Sequence, residues 1–174
     1  MSKAAAAGYE TSYESFESLY RKHYSRLVKA LCFVVLNEET AADIAQDSFL
    51  KLHLRWEHIG KYNDPMAWVY KVAFNKARDY QRYLTRLNYL LKKLAPQQEK
   101  AGIVTWFPEQ TFVEALKDLP GRQRTAASLH YAAGFSQRET ALIMGISEGA
   151  VKSHLSRARE ALKISLKVEH GFQF

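Results

Sequence analysis

Phe135-Ser136-Gln137-Arg138-Glu139-Thr140-Ala141-Leu142-Ile143-Met144-Gly145-Ile146-Ser147-Glu148-Gly149-Ala150-Val151-Lys152 reads as two helices with a tight turn between them. Ser136 and Glu139 have the spacing of a capping box: the serine side chain takes an N–H of the first turn, and the glutamate returns to the N–H of the cap residue. The short helix that follows carries Thr140, Ala141, Leu142, Ile143 and Met144. Gly145-Ile146 makes the turn, and Ser147 caps a second helix with Val151, Leu155, Ala158, Leu162 and Leu166 on its inner side. A pair of this size and cap chemistry is a helix-turn-helix, whose second helix enters the major groove end first.

Such a helix needs one face for its own domain and another for DNA. With Val151, Leu155 and Ala158 inward, the spacing turns Gly149, Lys152, Ser153, Ser156 and Arg159 outward or to the flank. Lys152, Arg157 and Arg159 have the charge and reach for phosphates, Gly149 permits close approach, and Ser153 is placed for a base edge. Ser147 and the helix start offer N–H groups to a phosphate. His154 reads as a polar edge group or a DNA contact, since no metal-ligand spacing surrounds it. Each basic residue taken alone could be ordinary solvated helix surface.

Upstream, the chain continues as helices. Phe112, Leu116 and Leu119 suggest a short helix stopped at Pro120-Gly121, and Arg122 to Ala132 forms another, closed by Gly134 as a C-cap. From Leu90 to about Pro108 the pattern breaks down into a linker, although Leu90, Leu91 and Leu94 are suited to extending the helix before it. Trp106 and Phe107 are too apolar for a pure spacer; they either pack on a domain or meet a partner.

Before the linker, Phe16, Leu19, Tyr20, Tyr24, Leu27, Val28, Leu31 and Val35 form the stripe of a long helix between Tyr13 and Leu36. Asn37 caps the next helix, with Glu38 and Glu39 in its first turn. Its Ala41, Ile44, Ala45, Phe49, Leu52 and Trp56 face a core, while Asp43, Gln46, Asp47 and Lys51 lie beside or opposite them. Asp64-Pro65 starts a third helix running to Tyr83 or beyond, with Trp68, Val69, Val72, Ala73 and Ala77 inward and Lys71, Lys76, Arg78, Arg82 and Arg86 as a positive rim. The expected fold is all-α: a tail over 1–11, a helical domain over 12–89, a linker over 90–109, a helix-turn-helix domain over 110–170 and a tail over 171–174.

The 174 residues suit one or two compact domains, and 25 Lys and Arg against 18 Asp and Glu leave a formal charge of +7, which favours a polyanionic partner. Cys32, the only cysteine, sits in an apolar run, so neither an internal disulfide nor a thiolate zinc site can form. The N-terminal stretch lacks the apolar core of a signal peptide, and no stretch approaches bilayer-spanning length. The expected location is the cytoplasm. No catalytic pairing emerges among His23, His53, His58, Asp43 and Asp79, and Ser136 and Ser147 are explained by capping, so neither an enzyme nor a cofactor is expected.

These pieces together resemble the extracytoplasmic-function sigma factors, the smallest class of the bacterial sigma family, over nearly the whole chain. Phe16 to Tyr24 is similar to the family's opening helix, Ala42-Asp43-Ile44-Ala45-Gln46-Asp47-Ser48-Phe49-Leu50-Lys51-Leu52 to its second, and Trp68 to Arg82 to the helix that meets the minus-ten element. Leu119 to Arg124, Gly134 to Ala141 and Ile146 to Arg159 resemble its second domain and the helix that reads the minus-35 element. The resemblance implies a chain that binds core RNA polymerase and directs promoter recognition and strand opening. Asp43, Gln46, Asp47 and Phe49 would dock on the clamp helices of the largest polymerase subunit. Asn75, Arg78, Asp79 and Arg82 would lie near the opened minus-ten strand, with Lys71 and Lys76 on phosphates. Ser147, Gly149, Lys152, Ser153, His154, Ser156, Arg157 and Arg159 would serve the minus-35 element. The family often pairs with an anti-sigma factor.

Ala42, Gln81, Thr140 and His154 depart from the family's usual residues, which leaves the promoter sequence open. The alternative is a stand-alone regulator of the LuxR-like kind, because Ala150-Val151-Lys152-Ser153-His154-Leu155 also resembles that recognition helix. That reading leaves the second helix and Trp68 to Arg82 without a role.

Overall fold

The computed structural model describes residues 15–94 and 115–170, with side chains of the last helix through Lys163. Both tails, Tyr13, Trp106, Phe107, Phe112 and the Leu166 side chain lie outside the described residues, as does the linker beyond Leu94. Four helices make the first half: α1 (Phe16–Val35), α2 (Glu38–Leu54), the single turn α3 (Trp56–Ile59) and α4 (Pro65–Leu94). The second half has α5 (Gly121–Ala127), which widens into a π turn over Ser128–Ala132, then α6 (Gln137–Met144) and α7 (Glu148–His170). No strand occurs among the described residues.

The starts of α1, α2 and α4 are fixed by side chains that occupy otherwise unpaired backbone N–H groups. Ser15 accepts from the Ser18 N–H at the head of α1, Asn37 from Thr40 at 2.7 Å, and Asp64 from Ala67 at 2.9 Å. The helix after Asp64 is longer than its buried stripe. Its fully buried residues end at Ala77, yet it stays helical through Leu94, so the expected linker start at Leu90 falls inside α4. The last turns remain helical while exposing Tyr89, Leu90, Leu91 and Leu94.

The first core is built where α1, α2 and α4 meet: Leu27, Leu31, Phe49, Leu52, Val69 and Tyr70 are each almost fully buried. An unexpected feature is that this core does not stop at the first half. Leu129, Ala133 and Ile143 of the second half belong to it, the Tyr70 ring meets Phe135 edge-on at 4.6 Å, and the Ser128 hydroxyl donates to the carbonyl of Ala30. Reciprocally, Phe33 of α1 packs with Leu116, Leu119, Ala127, Ala158 and Leu162. The sequence pattern gives two domains and no sign of this joint core, because the residues that make it are the same apolar types that would close each domain alone.

Cys32 is buried in the last turn of α1, and desolvation pushes its thiol up to about 12. A thiol held protonated and out of contact with solvent is a poor nucleophile. The native chain is therefore expected to resist Ellman's reagent at pH 8 and to react rapidly, with one thiol per chain, in guanidinium chloride. Rapid native reaction would contradict this burial.

Candidate nucleic-acid and docking interfaces

The helix-turn-helix forms as its caps dictate. Ser136 accepts from the Glu139 N–H at 3.2 Å, while the Glu139 carboxylate accepts from the Ser136 hydroxyl at 2.6 Å and from the Ser136 N–H at 2.8 Å, and these last two bonds hold the carboxyl below its usual range. Gly145 ends α6 in the left-handed region, at φ +65°, where a side chain would be strained. Ser147 then accepts from the Ala150 N–H, starting α7. Ala126, Ala141, Val151 and Leu155 lock the two helices together.

One expected sequence departure has an energetic counterpart here. Thr140 is wholly buried in α6, and its hydroxyl finds no partner. A buried unpaired hydroxyl costs on the order of 1 kcal/mol or more, so Thr140→Val should raise the thermal midpoint, with a stability gain of about 1 kcal/mol. A lower midpoint would mean that the hydroxyl is satisfied after all.

On the outer face of α7, Lys152, Ser153, Ser156, Arg157 and Arg159 are exposed, as are Ser147 and Gly149. A Cβ built on Gly149 would meet nothing within 4 Å, so the approach to this end of the helix is open. Arg159 is held from behind by a bond to the Tyr131 hydroxyl at 3.0 Å, a partner that sequence spacing did not suggest. His154 takes the first of its two expected places: it is half-buried, its Nδ1 has no partner among the described residues, and burial together with the charges of Arg122 and Arg157 lowers its pKa. It stands at the edge of the outer face rather than on it, as a neutral ring at physiological pH.

Along α4, Lys71, Asn75, Arg78, Arg82 and Arg86 recur at three- and four-residue steps and share one face. Lys71 stands open at the N-terminal end of this stripe. Asn75, Arg78, Arg82 and Arg86 line a cleft of about 540 Å³ whose far wall includes Arg122 and Ile146 of the second half. Asp79 lies 3.9 Å from Arg78 and 3.7 Å from Arg82, loose exposed pairs of little energetic weight. Lys76 turns the other way and is paired with Asp47 of α2, which lowers the pKa of that carboxyl. The structure thus separates Lys76 from the arginine stripe and ties it to the residue expected to dock.

On α2, Asp43, Gln46 and Asp47 are exposed on one face, Gln46 donating to the Tyr24 hydroxyl at 3.4 Å. Phe49 is not with them. It is 1 % exposed and packs against Phe16, Tyr20 and Tyr24, so its expected part in docking is corrected to a core role. The apolar members of the exposed face are instead Leu50 and Leu54, 55 % and 74 % exposed, three and seven residues beyond Asp47. Their signal was readable: large leucines at helical spacing from the acids, off the core stripe.

Comparison with known proteins places both halves. Residues 19–87 match the family described as Sigma-70 region 2, and residues 109–162 match Sigma-70, region 4. The chain is an extracytoplasmic-function sigma factor. Among its relatives, the ECF RNA polymerase sigma factor SigM of Mycobacterium tuberculosis is 29% identical over 151 residues, covering 85% of this chain and 75% of the relative. The Bacillus subtilis SigM is 25% identical, with 86% and 93% covered. The solved structure of the sigma factor RpoE in complex with the anti-sigma factor NepR from Bartonella quintana aligns with a TM-score of 0.69 at 25% identity, over 89% of this chain and 98% of that one. That of CnrH with the cytosolic domain of CnrY gives 0.61 at 26% identity, with 88% of each chain covered.

As a sigma factor, the chain directs RNA polymerase to promoters. The stand-alone regulator reading falls away, since it has no place for a region 2 match spanning α1 to α4. No described helix is long and apolar enough to cross a membrane.

Proposed function

We propose that the sigma factor works through three surfaces. The α2 face of Asp43, Gln46 and Asp47, completed by Leu50 and Leu54, docks on the clamp helices of the largest polymerase subunit. Lys71, Asn75, Arg78 and Arg82 of α4 hold the backbone and opened bases of the minus-ten element, with Asp79 orienting the arginines beside it; Lys76 reaches a phosphate once Asp47 is engaged elsewhere. The outer face of α7, with Ser147, Gly149, Lys152, Ser153, Ser156, Arg157 and Arg159, reads the minus-35 element, and His154 supports it from the edge. Over 12–94 the chain is the docking and minus-ten domain, and over 110–170 the minus-35 domain.

What carries this reading is the division of charge: an acid-and-leucine face on α2 stands apart from an arginine stripe on α4, two surfaces suited to different partners. An acidic, partly apolar face fits a protein with basic groups, and guanidinium groups fit phosphate. The solved relative RpoE, in complex with the anti-sigma factor NepR, supports a partner of that class here, and the chain acts in the cytoplasm, as an initiation factor without catalysis of its own. The test is run-off transcription from a randomised-promoter library with bacterial core polymerase. Starts that require the added chain and share two upstream elements are expected; no such starts with a compatible core enzyme would refute the reading.

A further inference from the structure

We propose that the cleft between α4 and the second half is a binding site for a nucleoside triphosphate. The cavity, about 540 Å³, lies within the range of small-molecule sites, and its lining divides into two kinds of surface. Arg78, Arg82 and Arg86 project from one wall and Arg122 from the other. Arg86 and Arg122 have no ion pair among the described residues, and Asp79 reaches Arg78 and Arg82 only at 3.7 Å or more. Four exposed arginines lining one space match the three to four negative charges of a triphosphate, which arginine takes in paired hydrogen bonds.

The other surface is apolar. Met144 and Ile146, half-buried, with the edges of the buried Phe74 and Ile143 beneath them, form a floor against which a planar base can lie, and Asn75 and Thr125 bring polar atoms beside it. A phosphate alone would have no use for this floor. A single strand of nucleic acid typically tracks a groove with successive aromatic platforms, whereas among the described residues Phe74 is the sole aromatic lining this cleft. A ligand held by Arg82 and Arg122 together bridges the two halves. The site rests on the cavity alone; only its rivalry with promoter DNA for Arg78 and Arg82 rests on the promoter reading above.

Calorimetric titration of the full chain, without polymerase or promoter, tests the site directly, using ATP, GTP, inorganic triphosphate and a thymidine oligonucleotide as probes. ATP or GTP is expected to bind with one-to-one stoichiometry. Arg82→Ala and Arg122→Ala, each with an unchanged circular-dichroism melt, should weaken that binding by about tenfold, as expected for loss of a charge-assisted phosphate contact. Inorganic triphosphate should bind about tenfold more weakly than the nucleotides, because it forgoes the apolar floor. Equal binding of triphosphate, binding of the oligonucleotide but of neither nucleotide, or no binding at all would overturn the proposal. None of these outcomes bears on whether the chain supports run-off transcription, so the two readings fail separately.

Discussion

Replacing Phe49 by alanine is expected to lower the unfolding free energy by about 3–5 kcal/mol, the range for truncating a large aromatic in a close-packed core. Phe49 is 1 % exposed and lies among Phe16, Tyr20 and Tyr24, whose rings surround it at 5.0 to 6.5 Å between centroids. The cavity left behind cannot be refilled by one neighbour without pulling α1 from α2. Urea denaturation read by circular dichroism measures the loss directly. The contrasting substitution is Leu50→Asp, one residue along and 55 % exposed: it should change the unfolding free energy by no more than about 0.5 kcal/mol, as surface changes usually do, while weakening binding to core polymerase. A stable Phe49→Ala chain that fails to bind polymerase would reinstate Phe49 as a docking residue.

The second large effect concerns α7. Lys152→Ala and Arg157→Ala together are expected to weaken polymerase-dependent promoter binding by about a hundredfold at low salt, roughly tenfold for each phosphate contact removed, and to lower the slope of log K against log[salt] by about 2. Both side chains are exposed on the outer face, so the fold should not suffer. The loss should be similar across minus-35 variants, because phosphate contacts carry no base information. Filter binding at several salt concentrations checks it, and an unchanged slope would remove these residues from the DNA surface.

What the sequence made legible was local. The capping box at Ser136 and Glu139, the turn at Gly145 and the caps at Ser147, Asn37 and Asp64 all depend on residues within four positions of one another, and all five form as read. The exposed positions of α7 followed from the same periodicity. Phe49 was harder, since a family motif names a residue without saying which way it points; its place on the Ala41, Ile44, Ala45 and Leu52 stripe was the better guide. The ion pair between Asp47 and Lys76 spans 29 residues, and the Arg159–Tyr131 bond spans 28. Such pairings depend on how helices pack, which charge and spacing along the chain do not encode. The same holds for the contact of Phe135 with Tyr70, and with it the joint core.

That joint core sets a conformational toll on promoter affinity. Elements centred at minus ten and minus 35 are about 25 base pairs apart, roughly 85 Å along B-form DNA. A compact chain of this length has a radius of gyration of about 16 Å. If α4 and α7 meet these two elements, as proposed, they cannot reach both at once while Tyr70 rests on Phe135 and Ile143 lies in the core of the first half. The dissociation constant for a whole promoter is then the intrinsic value divided by the fraction of chains that are open, and each 1.4 kcal/mol of closure weakens it tenfold. On that reading Tyr70 and Phe135, whose rings pack on each other, tune promoter strength by setting that fraction.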